Sequence, residues 1–223
     1  MSREACADAF RQVTGQPLVA LPQAAGRTDS EIFFEALALN DVSAAGADDQ
    51  ELLARYFAAL GAAFSARREQ LPRLGRLLPG AEAALTAVGQ LPGVVQSVLT
   101  GTIRPNAAEK LRAFGLAGHL EEDIGGYGSA VYPKGAELLQ ARSRAGEKYG
   151  VSFGPGATVY VADSTRDVTA ALTGGARMIA VASGRSTAAE LREAGADVVL
   201  GDLSDTAAVT DAIEALSAPV TAG

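Results

Sequence analysis

Two hydrophobic periods divide this sequence. Through roughly the first third, apolar residues recur at helical spacing. Leu52, Leu53, Tyr56, Phe57, Leu60 and Phe64 form one wide stripe, the pattern of a helix packed on a core. Ser2 to Val13 carries Ala5, Phe10 and Val13 among polar residues and stops at Gly15, which predicts a first helix. Thr28, followed three residues later by Glu31, is a capping box, so a second helix should start there. Asp48 or Asp49 can cap the third.

Beyond Pro79-Gly80 the pattern changes to short apolar runs separated by helical segments. The runs Val94–Leu99, Thr158–Val161, Arg177–Val181 and Asp197–Leu200 predict strands. Helices are predicted over Ala81–Val88, from an Asn106/Glu109 cap to Gly115, and from Lys134 to about Lys148. Further helices are predicted from Thr165 to Gly174, from the Thr187/Glu190 capping box to Gly195, and from Thr206 to Leu216. Strands alternating with helices imply an α/β fold with a parallel, Rossmann-like sheet and right-handed crossovers. The expected division is a helical module over residues 1–79 and an α/β module over 80–223.

Composition narrows the class. Tryptophan is absent and aromatics are few, so alanine, leucine and valine must build the interior. A net charge of −7 with no Lys/Arg-rich block argues against nucleic acid as a partner, because phosphate-backbone binding needs a clustered basic face. The arginines at 67, 68, 73 and 76, around Pro72 and Pro79, read as a solvated hinge. The lone Cys6 excludes an internal disulfide and a cysteine-built metal site. No apolar run reaches the length of a membrane span, and the charged amphipathic start does not read as a signal peptide. The expectation is a cytoplasmic protein with no membrane partner.

The candidate chemistry lies at strand ends. Asp163 should sit just past the carboxyl end of its strand, where ligands bind in open parallel sheets. Asp167 follows one tight turn later, and two such carboxylates suit Mg²⁺. The competing reading makes Asp163 the cap of the following helix and Asp167 a solvated first-turn acid. Thr100-Gly101-Thr102, at another strand end, offers a hydroxyl and an unhindered amide to a phosphate. Lys134 could add positive charge, although a lysine opening a helix is commonly a surface residue. His119, the only histidine, reads as a loop residue, and no catalytic triad, P-loop or zinc motif is present.

Taken together, the apolar strand with Thr100-Gly101, then Lys134, then Ala162-Asp163-Ser164-Thr165-Arg166-Asp167 resembles motifs two to four of the haloacid dehalogenase-like hydrolases, in the phosphoglycolate phosphatase-like branch. The helical first part resembles that branch's cap, and Gly26-Arg27-Thr28-Asp29 resembles a cap segment facing the substrate. Ala162 stands where the family usually has glycine. The resemblance implies a Mg²⁺-dependent phosphatase of a small phosphorylated metabolite, with a homodimer as a possible assembly. In it Thr100 and the Gly101 amide would bind the phosphoryl group, with Arg27 and Thr28 facing the substrate. Lys134 would neutralise charge, Asp163 would bind Mg²⁺, and Asp167 would hold the metal shell or Lys134. A halide-releasing activity is disfavoured, because paired carboxylates suit a metal that dehalogenation does not need.

One departure is large. The family's nucleophile is the first aspartate of an Asp-x-Asp motif ending a strand ahead of the cap, and no Asp-x-Asp occurs in the 223 residues. By the resemblance that strand lies between those ending at Thr100 and Asp163. The expectation for this chain is therefore little or no turnover. A phosphatase whose sequence is short at its N-terminus is one reading. A non-catalytic, phosphatase-like binding or regulatory protein is the other.

Overall fold

The structure, a computed structural model, describes residues 2–42, 49–128 and 133–217, together with the backbone of 221–222. The chain runs α1 (Ser2–Thr14), α2 (Asp29–Leu39), α3 (Asp49–Ser65), α4 (Leu71–Leu74), α5 (Ala81–Val88), β1 (Leu99–Thr100), α6 (Arg104–Ala113) and β2 (Gly126–Tyr127). It continues with α7 (Lys134–Tyr149), β3 (Val151–Ser152), β4 (Val159–Ala162), α8 (Thr165–Gly174), β5 (Arg177–Val181), α9 (Ala188–Glu193), β6 (Val198–Leu200), α10 (Thr206–Leu216) and β7 (Thr221–Ala222). No helix among the described residues is long and apolar enough to cross a membrane. Two compact units emerge. One takes Met1–Arg76, Thr100–Gly115 and Tyr127–Tyr132; the other takes Leu77–Leu99, Leu116–Gly126 and Pro133–Gly223.

The first unit is a helical bundle. Thr28 caps α2 through a complete capping box: its hydroxyl receives the Glu31 amide, and the Glu31 carboxylate receives the Thr28 amide at 2.7 Å. Asp49 opens α3; the alternative cap, Asp48, lies outside the described residues. Phe10, Phe33, Tyr56, Leu60 and Phe64 from α1, α2 and α3 meet in one core, completed by Ile103 just ahead of α6. The predicted Asn106 cap is corrected. Proline is favoured in the first turn of a helix, and Pro105 lets α6 begin at Arg104, upstream of Asn106. Asn106 is thus carried into the helix, 3% exposed, with no partner for its Oδ1. Glu109 instead receives the Ser65 hydroxyl at 2.9 Å.

The second unit is the α/β part. Its main sheet has the order β4-β5-β6, all parallel, with Ala162 paired to Ala180 and Val181 to Leu200. Side chains alternate across a strand. Met178 and Ala180 of β5 therefore join one core with Leu138 of α7, Val168 and Ala171 of α8, and Leu191 of α9. Ile179 joins the opposite core, with Ala84 and Val88 of α5 and Val209 and Ile213 of α10. Helices on both faces of a parallel sheet make this a doubly wound, Rossmann-like layer. The capping box predicted at Thr187 and Glu190 is present and starts α9.

The predicted strand Val94–Leu99 is corrected. Only Leu99–Thr100 is strand, paired with β2. Upstream, the Gln96 and Val98 carbonyls accept the Glu121 and Gly126 amides, both at 2.8 Å, so this stretch bonds to a loop on one side. On its other side it borders a cleft of about 1190 Å³, whose far rim is β4. A full ladder needs a partner strand, and none of the described residues supplies one there.

Candidate active site

The sequence-predicted residues fall into two groups of contacts, one in each unit. In the α/β unit, β4 ends at Ala162, Asp163 follows exposed, and Ser164 is the N-cap of α8. The Ser164 hydroxyl accepts the Asp167 amide at 3.2 Å. Asp163 is therefore not the cap, because the helix starts one residue too late for it. Nor is Asp167 a solvated acid: it is 3% exposed. Its Oδ1 accepts Lys134 Nζ at 2.5 Å and the Tyr160 hydroxyl at 2.8 Å, and its Oδ2 accepts the Ser164 hydroxyl at 2.5 Å. Of the two roles open to Asp167, these contacts are those of a residue that holds Lys134.

Lys134 is the first residue of α7, and its side chain is 11% exposed. Its ammonium also lies 5.7 Å from the Tyr160 ring centre. An ammonium has three donors, so the bond to Asp167 leaves it able to meet an anion. Burial pushes the Asp167 carboxyl up, but the Lys134 charge and the hydrogen bonds from Lys134, Ser164 and Tyr160 outweigh that and hold it below the ordinary value of 3.8. Tyr160 is driven the other way, first by burial and then by the Asp167 charge it faces.

Tyr160 and Ser164 escaped the sequence reading. Tyr160 sits in an apolar strand where a core role is the natural assignment. Ser164 carried the usable signal, a serine three residues ahead of Asp167 at a helix start.

Asp163 keeps an open carboxylate. Gly184, in the loop after β5, leaves it room: a Cβ there would fall 2.1 Å from Asp163 Oδ2. As for Mg²⁺, no group of three His, Cys, Asp or Glu side chains gathers among the described residues, and both Asp167 oxygens are taken. The open Asp163 carboxylate is the one hard oxygen donor of this pair left to a cation such as Mg²⁺.

In the helical unit, Thr100, Gly101, Arg27 and Thr28 come together. The Asp29 amide donates to the Gly101 carbonyl at 2.6 Å, and the Ile103 amide donates to Asp29 Oδ2 at 2.8 Å. Thr100 Oγ1 accepts the Thr102 amide at 3.2 Å, which leaves the hydroxyl proton free to donate elsewhere. Thr28 is fully buried and spent on its capping box, and Arg27 pairs with Glu35. Gly101 is fixed by space: a Cβ would lie 1.9 Å from the Arg27 carbonyl oxygen. Because that obstacle is backbone, Gly101→Ala should cost about 2–3 kcal/mol, the upper part of the overpacking range, measured as a fall in the denaturant midpoint.

Lys110 is the other missed group. It is half-buried in the helical unit, with Nζ 3.4 Å from Thr102 Oγ1 and 5.5 Å from the Phe64 ring centre. Burial lowers its pKa, against the raising influence of Asp29.

The family model of the haloacid dehalogenase-like hydrolases matches residues 6–172. The chain belongs to that family. Among solved structures it is similar to a β-phosphoglucomutase-like protein of Bacteroides vulgatus, with TM-score 0.63 and 18% identity over 98% of this chain and 85% of that one. It is also similar to CbbY of Rhodobacter sphaeroides in complex with phosphate, with TM-score 0.59 and 18% identity over 94% and 91% of the two chains. A protein of Haemophilus somnus 129PT, predicted to be a phosphoglycolate phosphatase, matches with TM-score 0.58 and 18% identity over 94% and 90%. At these identities the likeness is one of fold. No curated protein matches the sequence.

Proposed function

We propose that this chain carries the cap and most of the core of a Mg²⁺-dependent phosphomonoesterase for a small phosphorylated metabolite. The observation that carries the reading is the buried Lys134–Asp167 pair, with Asp163 open beside it after β4. Burying a lysine is costly without a partner, and here Asp167, itself gripped by Tyr160 and Ser164, fixes the ammonium in place. A positioned ammonium of this kind neutralises phosphate charge without reorganising during reaction. Asp163 is the residue to hold Mg²⁺, which would supply charge screening of the phosphoryl oxygens. Thr100 and Gly101 keep the phosphate-contact role that the family resemblance gives them, and residues 1–79 that of the cap.

The reading includes little or no turnover by these 223 residues, for want of an Asp-x-Asp nucleophile. That same lack favours a second reading, a phosphatase-like protein that binds without hydrolysing. The test is p-nitrophenyl phosphate hydrolysis with Mg²⁺, by this chain and by a form extended at its N-terminus by an Asp-x-Asp strand. Activity only in the extended form, lost on Asp163→Asn, supports the phosphatase. Inactivity of both favours the binding protein. Robust hydrolysis by the 223-residue chain refutes the expectation of low turnover.

A further inference from the structure

Asp29 opens α2, where an acidic side chain ordinarily stays in water and gains only from the helix dipole. Here the carboxylate is half-buried and turned to another helix, accepting the Ile103 amide on Oδ2 at 2.8 Å. Ile103 leads into α6, and its apolar side chain cannot cap that helix. In a capping box the third helical residue reaches back to this amide. The residue at that position of α6 is Asn106, whose Oδ1 has no partner. Asp29 takes its place from α2, and a negative charge suits the N-terminus of α6.

The same residue holds the turn a second time. Its amide, one of the donors that a helix start leaves unpaired, donates to the Gly101 carbonyl at 2.6 Å. Asp29 therefore grips the chain on both sides of Thr102, at Gly101 through its backbone and at Ile103 through its side chain. Between the two grips the Thr102 amide donates to Thr100 Oγ1 at 3.2 Å. That bond occupies an acceptor position of the hydroxyl and turns its proton away from the Thr102 amide. Burial raises the Asp29 carboxyl, and the Ile103 amide and the Lys110 charge act against that rise.

We infer that Asp29 is a positioning residue, which sets the Thr100–Ile103 turn so that the Thr100 hydroxyl is free to donate to a phosphoryl group. This rests on the phosphate-contact role proposed above for Thr100 and Gly101. Asp29 itself touches no phosphate; it acts through the backbone of the turn. What the turn needs is an acceptor oxygen at that place, and the carboxylate's charge is secondary. The bonds involved all lie within the helical unit.

The test titrates inorganic phosphate, with Mg²⁺ present, into the full isotope-labelled chain and its variants, followed by amide NMR. Phosphate should shift the Gly101 and Thr102 amide signals. Asp29→Ala should weaken phosphate binding about tenfold and speed hydrogen exchange at the Thr102 and Ile103 amides. Asp29→Asn keeps a side-chain oxygen at the same place and should restore affinity to within about threefold of the native chain. Asp29→Glu keeps the charge but carries the oxygen one methylene further, so it should resemble the alanine variant. Phe33→Leu loosens the same core away from the turn and should leave phosphate affinity unchanged, which separates positioning from general stability. Should Asp29→Ala fail to fold, the Asn and Glu variants decide. Native-like affinity in Asp29→Ala or Asp29→Glu, or a loss in Asp29→Asn as large as in Asp29→Ala, overturns the inference and leaves the phosphatase reading standing. No shift at Gly101 or Thr102 in the native chain overturns the phosphate-contact role itself, and the positioning role with it.

Discussion

Replacing Asp167 by alanine is expected to cost about 3–5 kcal/mol of folding stability, the range for removing one partner of a buried ion pair. The loss comes less from the pair's own attraction than from what the change leaves behind. Lys134, 11% exposed, would keep its charge beside the Tyr160 ring without a partner, and the Tyr160 and Ser164 hydroxyls would lose their common acceptor. Removing both charges together, as Lys134→Met with Asp167→Leu, should therefore destabilise less than Asp167→Ala alone. Urea unfolding followed by far-UV circular dichroism measures both, and a loss below about 1 kcal/mol for Asp167→Ala would place Lys134 in contact with water. The pH dependence has a definite sign. Asp167 titrates lower in the folded chain than its ordinary value of 3.8. Its contribution is thus fully present above that value and disappears as pH falls through the lower folded one. The unfolding midpoint of the native chain should drop over that acid range more steeply than that of Asp167→Asn.

The second large effect belongs to the helical unit. Phe33→Ala is expected to cost about 3–5 kcal/mol, as for other fully buried aromatics cut to alanine. Phe33 is 0% exposed and stacks on Tyr56 at 4.1 Å between ring centres, with Phe10 edge-on at 6.4 Å. Its ring neighbours are Phe10 on α1, Tyr56 on α3 and Phe34 beside it on α2, so the resulting hole closes only in part without moving a helix. Phe33→Leu keeps much of the buried area and should lose clearly less. With no tryptophan in the chain, tyrosine emission, summed over five tyrosines that include Tyr56, can follow the repacking. An unchanged midpoint for Phe33→Ala would mean that the bundle collapses around the gap.

The elements easiest to read from sequence were those whose signals are local. The capping boxes at Thr28 and Thr187 appear as predicted, and the β5 and α10 bounds agree to the residue. Val94–Leu99 misled because an apolar β-branched run records only the wish to be buried; whether it becomes a strand depends on a neighbour at the right distance. Asn106 misled because Pro105 moved the helix start past it. At the site, the acidic pair was visible but its use was not. Asp167 turned inward because Tyr160 and Lys134, 7 and 33 residues away in sequence, both point at it. No local pattern encodes that convergence.

The helical unit is not continuous in sequence: it needs residues 100–115, with Ile103 1% exposed in its core, as well as residues 1–76. A chain emerging from the ribosome at 5–20 residues per second has α1, α2 and α3 free for some seconds before Ile103 arrives. During that interval the Phe10-Phe33-Phe64 cluster lacks one wall and keeps apolar surface exposed. The α/β unit's last part, from β4 to α10, follows as consecutive strand-helix crossovers and can assemble in the order in which it is made.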